Sequence, residues 1–155
     1  VGQLSLGVQK SFYERTSKSP GARAVSSASQ PWLYNAAAAG FVTPDLLVYA
    51  SFTRGFEEIG NAPLIAVNRD EAVPAELTEQ LDAGIRYQLL KGLQLVAGVF
   101  EIRKPYFDLD QENLFRRIGD TRNRGVELSV AGALTDTLTV VAGLILIDPE
   151  MNVTS

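Results

Sequence analysis

The sequence of 155 residues contains no cysteine and no histidine. Without cysteine the chain cannot form a disulfide bond, a thiolate metal site or a thiol nucleophile. Without histidine it lacks the commonest general base and the commonest transition-metal ligand. A Ser-His-Asp triad and a histidine-based zinc site are therefore excluded within this chain, and we predict no catalytic and no metal-binding residues.

The sequence also has fewer basic than acidic residues. Lysine and arginine total 14 against 18 aspartates and glutamates, which gives a net charge of −4. Nucleic-acid binding needs a basic surface, so this partner class is not expected. No run of about 18 apolar residues predicts a transmembrane helix. The chain opens VGQLSLGVQK, without an initiator methionine or the pattern of a signal peptide, and we expect a fragment of a longer protein.

What the sequence does contain is a repeated alternation of apolar and polar residues, which is typical of strands with one buried face. The clearest case lies within residues 121–134, where Val126 and Leu128 alternate with Glu127 and Ser129. The pattern, with weaker alternation in some segments, predicts strands over residues 3–12, 34–42, 46–56, 80–89, 93–104, 121–134 and 138–147.

A helix competes with a strand in one of these segments. Residues 74–81 read PAELTEQL, with Pro74 at a plausible first helical position and leucines four residues apart. Against a helix, Ala83 and Tyr87 complete an alternating set, and Gly84 would cost a helix about 1 kcal/mol. The pattern favours a strand.

The lengths of the connections carry the second signal. Residues 43–45, 90–92 and 135–137 are tight links, and they alternate with long links over about 15–32, 57–76 and 105–120. Consecutive antiparallel strands place alternate links at opposite ends of a sheet. Short turns at one end and long loops at the other are typical of outer-membrane barrels. The sequence therefore predicts an all-β fold, an antiparallel up-and-down meander of about seven transmembrane strands.

Such a barrel would turn its apolar side chains to lipid and its polar side chains to a lumen. The predicted lipid-facing set is Leu81, Ile85, Val126, Leu128 and Val130. The predicted lumen-facing set is Asp82, Arg86, Glu127 and Ser129, and Arg124 is expected to belong to the same lumen wall.

Five motifs occur in an order that resembles a known family. They are LLVYASFTRGFEE at 46–58, AVNR at 66–69, PAELTEQLDAGIRY at 74–87, LVAGVFEIRKPY at 95–106 and DTRNRGVELSV at 120–130. Together they resemble the barrel of a TonB-dependent outer-membrane receptor, within the siderophore receptor subgroup. The resemblance implies a segment of a barrel of about 22 strands whose lumen is closed by a plug domain. Residues 1–155 would then be a partial barrel domain, without the plug and the remaining strands.

The resemblance also implies a function. It is the energy-coupled uptake of a ferric siderophore across the bacterial outer membrane, by a transporter and not an enzyme, with no resident cofactor. The implied partners are the ferric siderophore, outer-membrane lipid and the TonB energy-transducing protein, which acts through the plug. The alternative from the residues alone is a soluble all-β binding module or a small closed barrel of about eight strands.

Arginine and aromatic side chains in the long links are the candidate ligand-binding residues. Guanidinium groups and aromatic rings suit an anionic or aromatic iron chelate, through charge-assisted hydrogen bonds and cation–π contacts. The candidates are Trp32, Arg69, Tyr106, Phe107, Arg116 and Arg117. Aromatic residues at strand ends equally suit the girdle at a membrane interface, for which the candidates are Phe12, Tyr34, Phe56 and Tyr106.

Asp108, Asp110 and Glu112 partly resemble the start of a calcium-binding loop. Asn113 occupies the position where that loop needs glycine, and Gly119 stands where its bidentate glutamate belongs. We expect these carboxylates to be ordinary loop charges.

Overall fold

A computed structural model describes residues 1–17 and 24–153 of the chain, and it places them in strands, turns and loops. None of these residues belongs to a helix of the length and apolarity needed to cross a membrane. The strands are β1 (Gly2–Lys10), β2 (Tyr13–Ser17), β3 (Val25–Ser29), β4 (Trp32–Thr43), β5 (Leu46–Glu57), β6 (Glu76–Leu90), β7 (Leu93–Leu109), β8 (Phe115–Thr135) and β9 (Leu138–Val153).

Seven of the strands form one antiparallel sheet in the order β1-β4-β5-β6-β7-β8-β9. Strands β2 and β3 pair with each other as a separate hairpin between β1 and β4. The predicted meander and its seven strands are confirmed. The helix considered for residues 74–81 is wrong, since β6 runs through Gln80 and Leu81 as a regular strand.

The cross-strand register sorts the side chains onto two faces. Val48 pairs with Ile85, Ile85 with Ala97 and Ala97 with Leu128, which makes an apolar row across four strands. The neighbouring row pairs Tyr49 with Gly84, Gly84 with Gly98 and Gly98 with Glu127. We call these the apolar face and the polar face. The alternation predicted from the sequence is confirmed in these central strands.

The apolar face is not covered by another part of the described chain. Leu81 is 53% exposed and Leu128 is 48% exposed, although both are large apolar residues in the middle of the sheet. A soluble sandwich would bury such residues against a second sheet. The buried apolar residues instead lie in one loop and beside one turn: Ala62, Ala66, Ala72, Val73 and Leu93.

The three tight turns lie together at one end of the sheet, which we call the turn end. The carbonyl of Asp45 accepts a hydrogen bond from the amide of Gln88 at 2.9 Å, and the carbonyl of Gly92 accepts one from Ala133 at 3.0 Å. These bonds join two of the three tight turns to the strand next to each. The predicted segregation of short links and long links is confirmed, and we call the opposite end the loop end.

One predicted long link is much shorter than expected. Residues 105–120 were predicted as a loop, but β7 continues to Leu109 and β8 begins at Phe115, so that residues 110–114 alone connect them. Pro105 is tolerated in a strand here because the last pair between β6 and β7 is Glu79 with Arg103. Beyond that pair β7 has no β6 neighbour that needs the missing proline N–H.

The predicted link over residues 15–32 is also wrong as a simple loop. Residues 13–17 and 25–29 pair as the β2–β3 hairpin, and residues 18–23 of the prediction lie outside the described residues. The first strand was predicted over residues 3–12, with Phe12 as a strand-end girdle candidate, yet β1 ends at Lys10, whose partner is Trp32. The amide of Ser11 donates to the carbonyl of Pro31 at 3.0 Å, one position beyond that last pair.

Candidate ligand-recognition site at the loop end

Residues 58–75 form a compact segment between β5 and β6, which we call the β5–β6 segment. The amide of Ala62 donates to the carbonyl of Glu71 at 2.9 Å, and the amide of Val73 donates to Gly60 at 3.0 Å. These bonds bring the two ends of the segment together, and its buried alanines pack inside it. The tip of the segment is apolar and exposed, and consists of Leu64, Ile65 and Val67.

The β7–β8 tip, residues 110–114, is held by a single carboxylate. Asp110 Oδ1 accepts hydrogen bonds from the amides of Glu112 and Leu114, each at 2.9 Å. Its Oδ2 lies 2.5 Å from Arg116 Nε. The Leu114 amide, the Glu112 amide and the Arg116 guanidinium lower the pKa of Asp110 below its ordinary value of 3.8. Asn113 adopts a φ of 58°, which asparagine tolerates better than most residues.

Asn68 connects the β5–β6 segment to the β7–β8 tip. Its Nδ2 donates to the carbonyl of Phe115 at 3.1 Å, and its Oδ1 accepts from the amide of Phe115 at 2.9 Å. The amide of Val67 adds a third bond, to the carbonyl of Asn113 at 2.8 Å. Two connections that are 47 residues apart in sequence are thereby joined.

The β2–β3 hairpin contacts the same segment from the other side. Arg15 forms an ion pair with Glu58, and the rings of Tyr13 and Phe56 have centroids 5.7 Å apart. Loss of hydration and the nearby Glu58 carboxylate raise the pKa of Tyr13. The described parts of the three long connections are therefore linked by contacts into one contiguous cap at the loop end.

The structure brings together four of the six predicted ligand-binding residues. Tyr106 and Phe107 lie on β7, where Phe107 pairs with Arg117, and the adjacent Arg116 pairs with Asp108. Tyr106 shares the polar face with Ile102 and Lys104, and its hydroxyl donates to Asp108 at 2.9 Å. Since adjacent strand residues alternate, Phe107 and Arg117 lie on the opposite face.

The other two candidates lie apart from that group to different degrees. Arg69 directly follows Asn68, so it stands beside the β7–β8 tip, and it is exposed. Trp32 begins β4 on the same face as Tyr34 and is 56% exposed. The ammonium of Lys10 lies 5.2 Å from its ring centroid. The position of Trp32 is that of a strand-end aromatic as much as that of a ligand contact.

Arg69 differs from its neighbours in its charge environment. Of the nine arginines that the structure describes, seven form an ion pair with a carboxylate. The two without such a pair among the described residues are Arg69 and Arg86, and Arg86 lies 5.9 Å from the ring centroid of Tyr49 on the polar face. Arg69 is thus an exposed cation at the loop end that no carboxylate of the described residues neutralises.

The apolar face ends in a charged row towards the loop end. The pairing runs through Tyr34, Arg54, Glu79, Arg103, Arg122 and Glu150, one residue from each of β4 to β9. Glu101, one row closer to the turns, accepts from the Nε atoms of three arginines, Arg103 at 2.6 Å, Arg122 at 2.8 Å and Arg124 at 3.0 Å. We call these residues the charged row. Arg124, predicted in the lumen wall, is therefore on the apolar face, because it pairs with Glu101 and alternates with Gly125.

The polar face carries hydrogen bonds that cross strands. Ser51 donates to Asp82 at 3.1 Å, as expected for the polar wall of the sheet. Tyr49 lies over Gly84 and Gly98 and reaches Glu127 Oε1 at 3.4 Å. A side chain at either glycine would collide with the tyrosine, so both glycines keep its path clear.

The acidic residues near the β7–β8 tip accept hydrogen bonds from groups of the same chain. Asp108 accepts from Tyr106 and from the amide of Leu109, while Asp110 holds the tip. Within the part of the chain that the structure describes, no three acidic side chains are grouped so that they could hold a metal ion.

Sequence reasoning missed Asn68, Glu58 and the charged row. Asn68 lies in the AVNR motif at 66–69, but nothing in that motif indicates its partner Phe115, which is distant in sequence. The charged row depends on cross-strand register, which one strand alone does not reveal. Asp110 carried a usable signal, since aspartate followed three residues later by asparagine is typical of a turn.

Comparison with known proteins shows which family has this sheet and these loops. The family model for the TonB-dependent receptor-like β-barrel matches residues 3–152. BauA, the ferric preacinetobactin receptor of Acinetobacter baumannii, is 26% identical, with a TM-score of 0.75, over 99% of this chain and 23% of BauA. A comparison with curated protein sequences found no match.

Two further receptors share the fold. The siderophore receptor PiuA of A. baumannii has a TM-score of 0.81 at 20% identity, over 98% of this chain and 24% of PiuA. The ferric-catecholate import receptor Fiu of Escherichia coli K12, in a closed form, has a TM-score of 0.76 at 16% identity, over 97% of this chain and 26% of Fiu. The chain spans about a quarter of the length of each receptor. The match over residues 3–152 shows that this chain belongs to the TonB-dependent receptor family, as part of its β-barrel.

Proposed function

We propose that this chain is a wall segment of an outer-membrane receptor that takes up a ferric siderophore. In this proposal the apolar face contacts lipid and the polar face lines the lumen. The loop end faces the medium and the turn end faces the periplasm, as in outer-membrane barrels generally. The membership in the family and the likeness to three receptors of iron chelates support it.

The observation that carries the ligand proposal is the charge at the loop end. Arg69 is exposed and has no carboxylate partner among the described residues, and it directly follows Asn68, whose side chain bonds Phe115, the neighbour of Arg116. Ferric siderophores are frequently anionic, and guanidinium groups bind oxygen anions through short, charge-assisted hydrogen bonds. A phenol and an aromatic ring add stacking and hydrogen-bonding capacity for a planar chelating group.

The rest of the proposed receptor lies outside this chain. Residues 1–155 would be a partial barrel domain, and β1 and β9, the two edge strands of the sheet, would be paired by further strands. Uptake would be coupled to the TonB protein through a plug domain. In this proposal the segment transports and does not catalyse, and the iron chelate is its cargo.

The test uses the intact receptor that carries this segment. Cells lacking the receptor gene, and cells with it restored, are supplied with a panel of radiolabelled ferric chelates under iron limitation. We expect uptake of at least one chelate to require the receptor and TonB. Arg69→Ala should reduce that uptake, whereas Lys91→Ala, an exposed cation at the turn end, should not. Equal uptake by deleted and restored cells for every chelate would refute the proposal.

A further inference from the structure

We propose that Asn68 is a positioning residue that fixes the distance between Arg69 and Arg116, so that the two guanidinium groups bind one anionic iron chelate as a unit. This inference rests on the proposed function. It goes beyond it by naming the residue that makes two separate connections act as one recognition element.

The geometry of Asn68 imitates a strand. Its amide group offers one donor and one acceptor, and both are used by the main chain of Phe115, at 3.1 Å and 2.9 Å. This is the pair of bonds that a residue of a neighbouring strand would make. Aspartate could accept from the amide but could not donate to the carbonyl, and alanine could do neither.

The bonded pair controls the two arginines because each is one residue away from it. Arg69 follows Asn68 and Arg116 follows Phe115. Arg116 is held further by Asp110 at 2.5 Å, so its position on the β7–β8 tip is set. The Arg69 side chain has no ion pair among the described residues, and its amide donates to Ala66 within the β5–β6 segment at 3.1 Å, so its placement depends on how that segment docks.

Asn68 supplies most of that docking. It makes two of the three hydrogen bonds that join the β5–β6 segment to residues 110–115 in the described chain, and the third is Val67 to Asn113. With one bond left, the segment could move relative to the tip. A chelate that contacts both arginines would then have to order them on binding, which weakens its affinity.

The main experiment compares chelate binding by the intact receptor and its variants. The probe is the ferric chelate that the uptake panel selects, and calorimetry gives the dissociation constant. Two net hydrogen bonds correspond to about 30-fold in affinity, so Asn68→Ala should bind more weakly by a factor of up to about 30. Asn68→Asp should also bind more weakly, whereas Gln111→Ala, an exposed side chain of the tip, should bind like the wild type.

Two further readouts separate positioning from a general loss of structure. Hydrogen exchange should show lost protection of the Phe115 amide, the first of strand β8, in Asn68→Ala and retained protection in the rest of that strand. Arg69→Ala should cost clearly less affinity in the Asn68→Ala background than in the wild type, because an unpositioned arginine contributes less. Unchanged affinity of Asn68→Ala, or additive losses in the double variant, would overturn the inference.

Failure of the proposed function would look different. If the wild-type receptor bound no ferric chelate, the proposed function would be wrong, and hydrogen exchange would still test whether Asn68 joins the two connections. Lost protection at Phe115 in Asn68→Ala would then support the joining, and unchanged protection would refute it.

Discussion

The path of Tyr49 across the polar face makes Gly84 a sensitive position. A Cβ added at Gly84 would lie 2.5 Å from the carbonyl oxygen of Ala97 and 2.5 Å from the hydroxyl of Tyr49. The first neighbour is backbone in a paired strand and cannot move easily. The second would have to leave its position over the two glycines and give up Glu127. The perturbation is therefore Gly84→Ala, a change of one methyl group.

The cost follows from the two collisions. Extra methyl groups in a closely packed place usually destabilise by about 1–3 kcal/mol, and both neighbours here are within 2.5 Å. Gly55 is the matched control, because it lies on the same face and has no heavy atom within 4 Å of an added Cβ. Gly55→Ala should change the free energy of unfolding by less than about 1 kcal/mol, and in the stabilising direction, since it restricts the unfolded chain.

Urea unfolding of the intact receptor in lipid vesicles gives the free energies. We expect Gly84→Ala to lower the free energy of unfolding relative to Gly55→Ala by at least about 1 kcal/mol. In a Tyr49→Ala background the same change should cost less, because one of the two obstacles is gone. Equal free energies of unfolding for Gly84→Ala and Gly55→Ala would refute the described path of Tyr49. If Gly84→Ala lowered the free energy of unfolding equally with and without the Tyr49 ring, the ring would have no part in the destabilisation.

Three other predictions concern the loop end and the two faces. The pKa of Asp110 is lowered, so the stability that its carboxylate gives the β7–β8 tip is complete above the ordinary value of 3.8 and is lost as the pH falls through the lower folded value. The protection factor of the Leu114 amide should therefore fall in that acid range, and Asp110→Asn should remove this pH dependence. Glu101→Gln should lower the urea midpoint of unfolding more than Glu150→Gln, because Glu101 forms ion pairs with three arginines while Glu150 lies 4.0 Å from Arg124. Equal midpoints would contradict a central role of Glu101 in the charged row. The chain has no cysteine, so single cysteines can report which end of the sheet faces the medium in a receptor without other cysteines. Leu64→Cys should react with an impermeant maleimide on whole cells, whereas Asp136→Cys should react only after the outer membrane is opened. The reverse result would invert the proposed orientation.

The strands and faces could be predicted because their causes are local. Alternation along one strand fixes which side chains share a face, and Lys91-Gly92 marks a turn through the glycine, whose φ is 103°. The order of the sheet followed from the short links, because a link of a few residues can only join strands that lie next to each other.

The errors have a common physical origin in contacts between distant residues. The β2–β3 hairpin lies in a Ser- and Ala-rich stretch without apolar alternation, and contacts with Glu58 and Phe56 stabilise it. Strand β7 continues through Pro105 because the pairing of β6 with β7 ends at Arg103, before the proline. Arg124 joins Glu101 through a register that spans 23 residues of sequence.

The six candidate ligand-binding residues stay a prediction. The structure places four of them, Tyr106, Phe107, Arg116 and Arg117, in one hairpin. Residue type alone could not distinguish Arg69, which has no ion pair among the described residues, from arginines that carboxylates neutralise. That distinction needs the positions of all the charges at once.

The charged row also has a consequence for the thickness of bilayer that this protein suits. On β9 the uncharged stretch runs over residues 138–147, from the turn to Asp148. At about 3.3 Å per residue and a tilt of about 45°, it spans roughly 23 Å along the membrane normal. A thicker bilayer would draw the arginine network into hydrocarbon, so the barrel would have to straighten or thin the lipid around it. Hydrophobic mismatch would therefore favour thin membranes, and reconstitution into lipids of increasing chain length should show a falling yield of folded protein.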